Sequence, residues 1–152
     1  MRALAGSRVA FDMAVTSIGR DGDIVGEHAQ EALTDFITSG QFERYLRRAG
    51  ARNASRRRAL IGALRQHFGS RVEIAGENTG VHLLVWLNDV PPRDLNAVIG
   101  RAARAGVGVY PIGPYYWRPP RGAGLLFGYA SLTEIEISAG VRLLADAVQA
   151  RR

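Results

Sequence analysis

The chain has 152 residues, of which 47% are hydrophobic and 22% charged, the size and balance of one folded domain with its own core rather than of a disordered segment. It has no cysteine, and all 20 of its Lys+Arg positions are arginine, so disulfide frameworks, thiol chemistry and any mechanism that needs a side-chain amine are excluded. The net charge of +6 permits acidic partners. No apolar run approaches a membrane span, and no charged-then-apolar export signal opens the chain, so a cytoplasmic protein is expected.

Residues 1–26 are weakly patterned, with a short apolar piece from Val9 to Val15 and glycines at 19, 22 and 26 that read as loop. From Glu27 to about Gly40, Ala29, Leu33, Phe36 and Ile37 fall on one helical face. A second helix is predicted from near Gln41 to roughly Phe68, with Phe42, Tyr45, Leu46, Leu60, Ile61, Leu64 and Phe68 inward and Gly50 as a candidate break or kink. "RVEIAG" alternates as a half-buried strand does, "ENTG" reads as a tight turn, and Val81 to Leu87 is a near-continuous apolar strand. Pro91-Pro92 opens a helix over Leu95, Val98, Ile99 and Ala102, which Gly106 closes. "VGVY", 107–110, and "GLLFGYA", Gly124 to Ala130, are strands. Ser131 or Thr133 caps a last helix with Ile135, Ile137, Val141, Leu144 and Val148 as its apolar positions. The order α-α-β-β-α-β-β-α implies an α+β fold: a small, mostly antiparallel sheet with helices packed on one face.

"GVGVYPIGPYYW", Gly106 to Trp117, breaks at Pro111, turns through Gly113-Pro114 and then presents three amphipathic rings in succession. Tyr115, Tyr116 and Trp117 on such a loop suit the wall of a binding cleft, against the plainer reading of local packing over the sheet. The segment "RRAGARNASRRR" could meet nucleic acid through phosphates, but no aromatic residues are interleaved for base stacking, and a solvated or inter-domain helix face is favoured. His28, His67 and His82 lack metal-ligand spacing, and His82, inside an apolar strand, is expected to be a packed core residue.

Four stretches in register, "ITSGQFERYLRRAGARNASRRRALIGALRQHF", "GVHLLVWL", "GVGVYPIGPYY" and "GLLFGYASLTEIEISAGVRLLADAV", resemble the C-terminal part of MocR-type regulators of the GntR superfamily. These fuse a winged-helix DNA-binding domain to a fold-type I, aminotransferase-like domain that binds pyridoxal phosphate. The resemblance covers about Ala29 to Val148. It implies that 27–152 form the aminotransferase-like small domain and that 1–26 are an N-terminal loop, a remnant of the large domain. It also implies that the loop with Tyr115, Tyr116 and Trp117 faces a cofactor-and-substrate cleft.

Family members carry a stretch like Lys-x-Leu-Ala-Pro-Gly-Leu-Arg-Leu-Gly-Trp, whose Lys forms the Schiff base and whose Arg binds the phosphate. "MRALAGSRVAF" fits the same length, which implies Arg8 as the cofactor-binding residue and sets Met1 at the lysine position. Leu126 stands where catalytic members hold a substrate carboxylate with an arginine; Arg118 and Arg121, on the loop just before, could take that role, with Arg121 as the candidate substrate-binding residue, against the plainer reading of solvated loop residues. With no lysine, the isolated chain is expected to be inactive as a transaminase. The partners implied are a large pyridoxal phosphate-binding domain or a second subunit, in a homo-oligomer, with DNA reached only through a separate domain. A stand-alone partner-binding domain derived from this fold and, less favoured, an arginine-rich nucleic-acid binder are the other readings.

Overall fold

The computed structural model describes residues 25–76 and 80–150, so the expected loop over 1–24 and most of the "ENTG" turn lie outside the described residues. The chain divides into two compact units, Met1–Ala49 and Gly50–Arg152.

The described part of the first unit is helix α1, Val25–Thr38, and the opening of helix α2, Gln41–Phe68. Between them, Gly40 takes a φ of +70°, the left-handed turn that a glycine makes without steric cost. Phe36 and Phe42 meet edge to face across this corner, with ring centroids 5.9 Å apart. The expected inward face is not inward: Leu33, Ile37, Phe42, Tyr45 and Leu46 are all exposed, and no residue from 29 to 49 is buried. The periodicity was a correct sign of helix, but among the described residues of this unit the apolar stripe it creates stays exposed. Helix α2 also runs unbroken through Gly50.

The second unit is built on a four-stranded antiparallel sheet of β1, Val72–Ala75; β2, His82–Leu87; β3, Tyr110–Pro111; and β4, Ala123–Gly128, in the order β1-β2-β4-β3. Helix α3, Leu95–Arg104, carries the chain from β2 to β3, and β4 then inserts between them. Helix α4, Glu134–Gln149, closes the unit. The fold is therefore α+β, as expected, with a split β-α-β arrangement.

Register explains the burial. Leu83 pairs with Phe127, Val85 with Leu125 and Leu87 with Ala123, and all six are buried on one face. Against that face lie Leu60, Ala63, Leu64 and Phe68 of α2, Val98 and Ala102 of α3, and Ile137, Val141, Leu144 and Val148 of α4. Burial of such side chains contributes roughly 1.5–3 kcal/mol each. Ile135, expected on the apolar face of the last helix, is exposed in its first turn.

Three polar devices fix the helices. Thr133 caps α4 through a capping box: the Glu136 N–H donates to Thr133 Oγ1 at 3.2 Å, and the Thr133 N–H donates to Glu136 Oε2 at 2.7 Å. Arg56 of α2 donates to the Ala130 carbonyl, and the Ser55 hydroxyl donates to Glu134 at 2.5 Å, joining α2 to the start of α4. Arg101 of α3 donates to the Ala147 carbonyl at 2.8 Å, near the end of α4 where the helix dipole favours a cation.

Two strand expectations need correction. The third strand is the short Tyr110–Pro111 rather than 107–110, because Val107 spends its N–H on the Ala102 carbonyl at 2.9 Å, closing the helix instead of entering a ladder. The fourth is Ala123–Gly128, and Tyr129 beyond it turns inward to donate its hydroxyl to the Gly80 carbonyl at 2.9 Å.

Candidate functional site

The alternate residues of the same strands make up the sheet's other face, which none of α2, α3 and α4 covers with its buried side chains. Its central row is Ala75, Leu84, Leu126 and Tyr110, in register across all four strands. On either side of that row, His82 faces Gly128 and Trp86 faces Gly124. His82 is thus exposed on this open face, not packed in the core as expected, because its place in the alternation is opposite to that of Leu83.

The Trp86 ring occupies space that a side chain on β4 would need. A Cβ on Gly124 would come within 2.7 Å of the indole and 2.4 Å of Ile112, and one on Gly122 within 3.0 Å of the indole. Glycine is therefore required at 124 for the ring to lie against the strand. Ile112 is buried here, and its N–H donates to the Gly124 carbonyl at 3.0 Å. Tyr116 then meets Trp86 edge to face, centroids 6.4 Å apart.

This small apolar anchor holds the loop between β3 and β4 at one end of the open face. The loop folds through a single 3-10 turn, Gly113–Tyr115, with Pro114 pre-setting the backbone. Its three rings stand out from the protein: Tyr115 is 72% exposed, Tyr116 46% and Trp117 100%. Arg118 and Arg121 on the same loop are exposed. Tyr110, beside Leu126, adds a further exposed ring.

Arg8 lies outside the described residues. Of the other predicted site residues, the structure brings Tyr115, Tyr116, Trp117 and Arg121 onto one loop beside Leu126's face. Sequence reasoning missed Trp86, Tyr110 and the glycines that seat the indole. The signal was available in "RGAGLLFG": glycines at 122, 124 and 128 have even spacing, which in a strand leaves one face bare for rings from its neighbour.

On the helix-covered side a cavity of about 60 Å³ lies among Leu60, Val107, Phe127, Tyr129, Ile137 and Val141. That is well below the 300 Å³ or so of a small-molecule pocket. On the same side, the Glu136 carboxyl is held below the usual glutamate range, first by the Thr133 backbone N–H and then by its hydroxyl, with the charge of Arg56 adding to the effect.

No family model matches the chain. It is 34% identical over 123 residues to the HTH-type transcriptional regulator YhdI of Bacillus subtilis, covering 81% of this chain and 26% of that protein. It is 28% identical over 119 residues to the probable rhizopine catabolism regulatory protein MocR of Rhizobium meliloti, covering 78% and 24%. The chain thus spans about a quarter of the length of these relatives. Among solved structures, it superposes on LysN, the α-aminoadipate aminotransferase of Thermus thermophilus, with a TM-score of 0.68 at 22% identity, covering 78% of this chain and 30% of that one. The multiple substrate aminotransferase of Thermococcus profundus gives a TM-score of 0.67 at 21% identity, covering 76% and 28%. By sequence the chain is akin to MocR-type regulators; its fold is that of the small domain of fold-type I aminotransferases.

Proposed function

With this kinship as the premise, we propose that the chain serves as the aminotransferase-like domain of a pyridoxal phosphate-dependent regulator of the MocR/GntR type and supplies one edge of its cofactor-and-effector cleft. The observation that carries the reading is the aromatic loop, anchored by Trp86, Ile112 and Tyr116 at the end of a sheet face that α2, α3 and α4 leave uncovered. On this reading 27–152 form the domain and 1–26 belong with the large domain. Tyr115, Tyr116, Trp117 and Arg121 line the effector side, and Arg8 binds the cofactor phosphate through its bidentate guanidinium.

Pyridoxal phosphate, when bound, supplies the electron-sink chemistry of the family. The described residues fit the rim of its cleft rather than its anchor. They offer rings and two loop arginines, while the sequence has no lysine amine to hold the cofactor covalently. Leu84, Leu126 and Tyr110 present apolar surface toward the cleft, and Trp86 and Tyr116 exclude water from one end of it. The partner across the cleft is a large pyridoxal phosphate-binding domain or a second subunit, DNA is engaged by a separate domain, and the setting is the cytoplasm. Among the described residues no helix is long and apolar enough to cross a membrane.

The test is a chimera in which this chain replaces the matched stretch of YhdI. A folded chimera is expected to take up added pyridoxal phosphate, seen as visible absorbance. Replacing Tyr116 and Trp117 with Ala is expected to weaken its response to amino-acid effectors at least several-fold. A folded chimera without visible absorbance overturns the cofactor reading. Full uptake with no effect of the ring substitutions would favour the second reading, in which the exposed rings dock a protein partner.

A further inference from the structure

The aromatic loop carries chemistry that narrows what the proposed cleft binds. Both ends of its outer part lie on one indole. Tyr116 meets Trp86 edge to face with centroids 6.4 Å apart, and a Cβ on Gly122 would come within 3.0 Å of the same ring. The excursion between these two anchors runs only from Trp117 to Arg121, and Pro119 and Pro120 fix φ at two of its positions. So short a path between two anchors on one ring keeps its side chains close to one another.

Two kinds of group stand on this excursion and its approach. Trp117 and Tyr115 present exposed rings. Arg118 and Arg121 are exposed, and among the described residues neither makes an ion pair or a hydrogen bond. The surrounding sequence has one sign: from Leu95 to Thr133 there are four arginines and no aspartate or glutamate. Among the strand residues of the open face the acid is Glu73 of β1, which pairs with Trp86 on the side away from β4 and the loop.

A planar ring is the natural partner of an exposed aromatic face, and a carboxylate matches a guanidinium by bidentate hydrogen bonds. A small molecule that carries both engages the rings and the cations together. An aliphatic acid engages only the arginines, and an aromatic amine meets a positive loop with the wrong sign. We infer that, on the cleft-edge reading on which this rests, the effector is an aromatic carboxylate, its ring stacked on Trp117 and its carboxylate held by Arg118 and Arg121.

Saturation-transfer NMR on the full chain, without pyridoxal phosphate, tests this with three probes of similar size. Phenylacetate is expected to bind most tightly. Cyclohexylacetate keeps the charge but loses the flat ring, and phenylacetamide keeps the ring but loses the charge; each is expected to bind several-fold more weakly. Trp117→Leu should weaken phenylacetate by about fivefold or more, the loss of one aromatic pair. Trp117→Phe should retain most of the binding. R118Q/R121Q should bring phenylacetate down to the level of phenylacetamide. All three side chains are exposed, and thermal unfolding confirms that each variant keeps the core from Leu60 onward. Absence of phenylacetate binding overturns the inference, as does equal binding of cyclohexylacetate. A preference for phenylacetate over phenylacetamide that survives R118Q/R121Q overturns the assignment of the carboxylate. Oligothymidylate that binds far more tightly than phenylacetate, and is lost with Trp117→Leu, overturns it too by making the loop a base-stacking surface. No cofactor takes part, so each of these failures is distinct from failure of the YhdI chimera to take up pyridoxal phosphate.

Discussion

Leu125 and Leu126 are neighbours on one strand with the same side chain, and they lie in different environments. Leu125 is fully buried beneath the helices, while Leu126 is only partly buried on a face those helices leave open. The same contrast runs along β2 between Val85 and Leu84 or Trp86. One face of this sheet is a finished core. The other is left uncovered by α2, α3 and α4, with one end closed by Trp86, Ile112 and Tyr116 and its central row only partly buried. An apolar face of this kind is of the sort that marks interfaces and ligand sites.

The sharpest way to break this contrast is to truncate both leucines. Leu125→Ala should cost about 2–5 kcal/mol in urea unfolding, and Leu126→Ala about 1 kcal/mol or less, because only the first leaves a closed cavity. Equal costs would mean the open face is as much core as the covered one. Next in size is Gly124→Ala, expected to cost about 1–3 kcal/mol by overpacking. Its new methyl would displace the Trp86 ring or Ile112, so the tryptophan fluorescence should shift; adding Trp86→Leu should recover much of the loss. An unchanged spectrum and full stability would show that the indole does not depend on the bare strand.

The covered face depends in turn on α4 starting where it does. Thr133→Ala should cost about 1 kcal/mol through the lost cap. The pH dependence of that cap has a definite sign. The folded-state pKa of Glu136 is lowered, so its contribution is fully present above the ordinary value of 4.5 and is lost as pH falls through the lower folded value. Glu136→Gln should therefore flatten the acid limb of the stability curve and leave neutral pH less affected. A steeper acid limb would contradict the assignment. The smallest expected effect is at Trp117, whose ring is wholly exposed: Trp117→Ala should change stability by no more than about 0.5 kcal/mol. A larger loss would mean that the loop is part of the fold rather than a surface for something else.

The order of elements was legible because each one carries its own period. The strand alternation of "RVEIAG", the apolar run from Val81 to Leu87, and the spacing of Ile137, Val141, Leu144 and Val148 each specify an element from local chemistry alone, and the last also specifies its inner face. The Thr133 cap was among the two candidates for the same reason, since a capping box lies within four residues. The aromatic loop was legible too, because Pro111, Gly113 and Pro114 end the strand and turn the chain just before three rings.

Periodicity names an apolar face but not what, if anything, packs on it. Leu33, Ile37, Phe42, Tyr45 and Leu46 also have helical spacing, as do Leu60, Leu64 and Phe68, yet the first set is exposed and the second is buried in the core around the sheet of its own unit. His82 sits in an apolar run and is still exposed, since its fate depends on register with Gly128, a residue 46 positions away. Trp86 found its place against Gly122 and Gly124 only once β4 entered the sheet between β2 and β3. The sequence by itself determined the elements, the cap, the exclusion of amine and thiol chemistry and the ring-bearing loop, all set by neighbours along the chain. Which apolar stripes are covered, and where the open face lies, was decided by tertiary structure alone, because burial and cross-strand register depend on contacts between residues far apart in sequence.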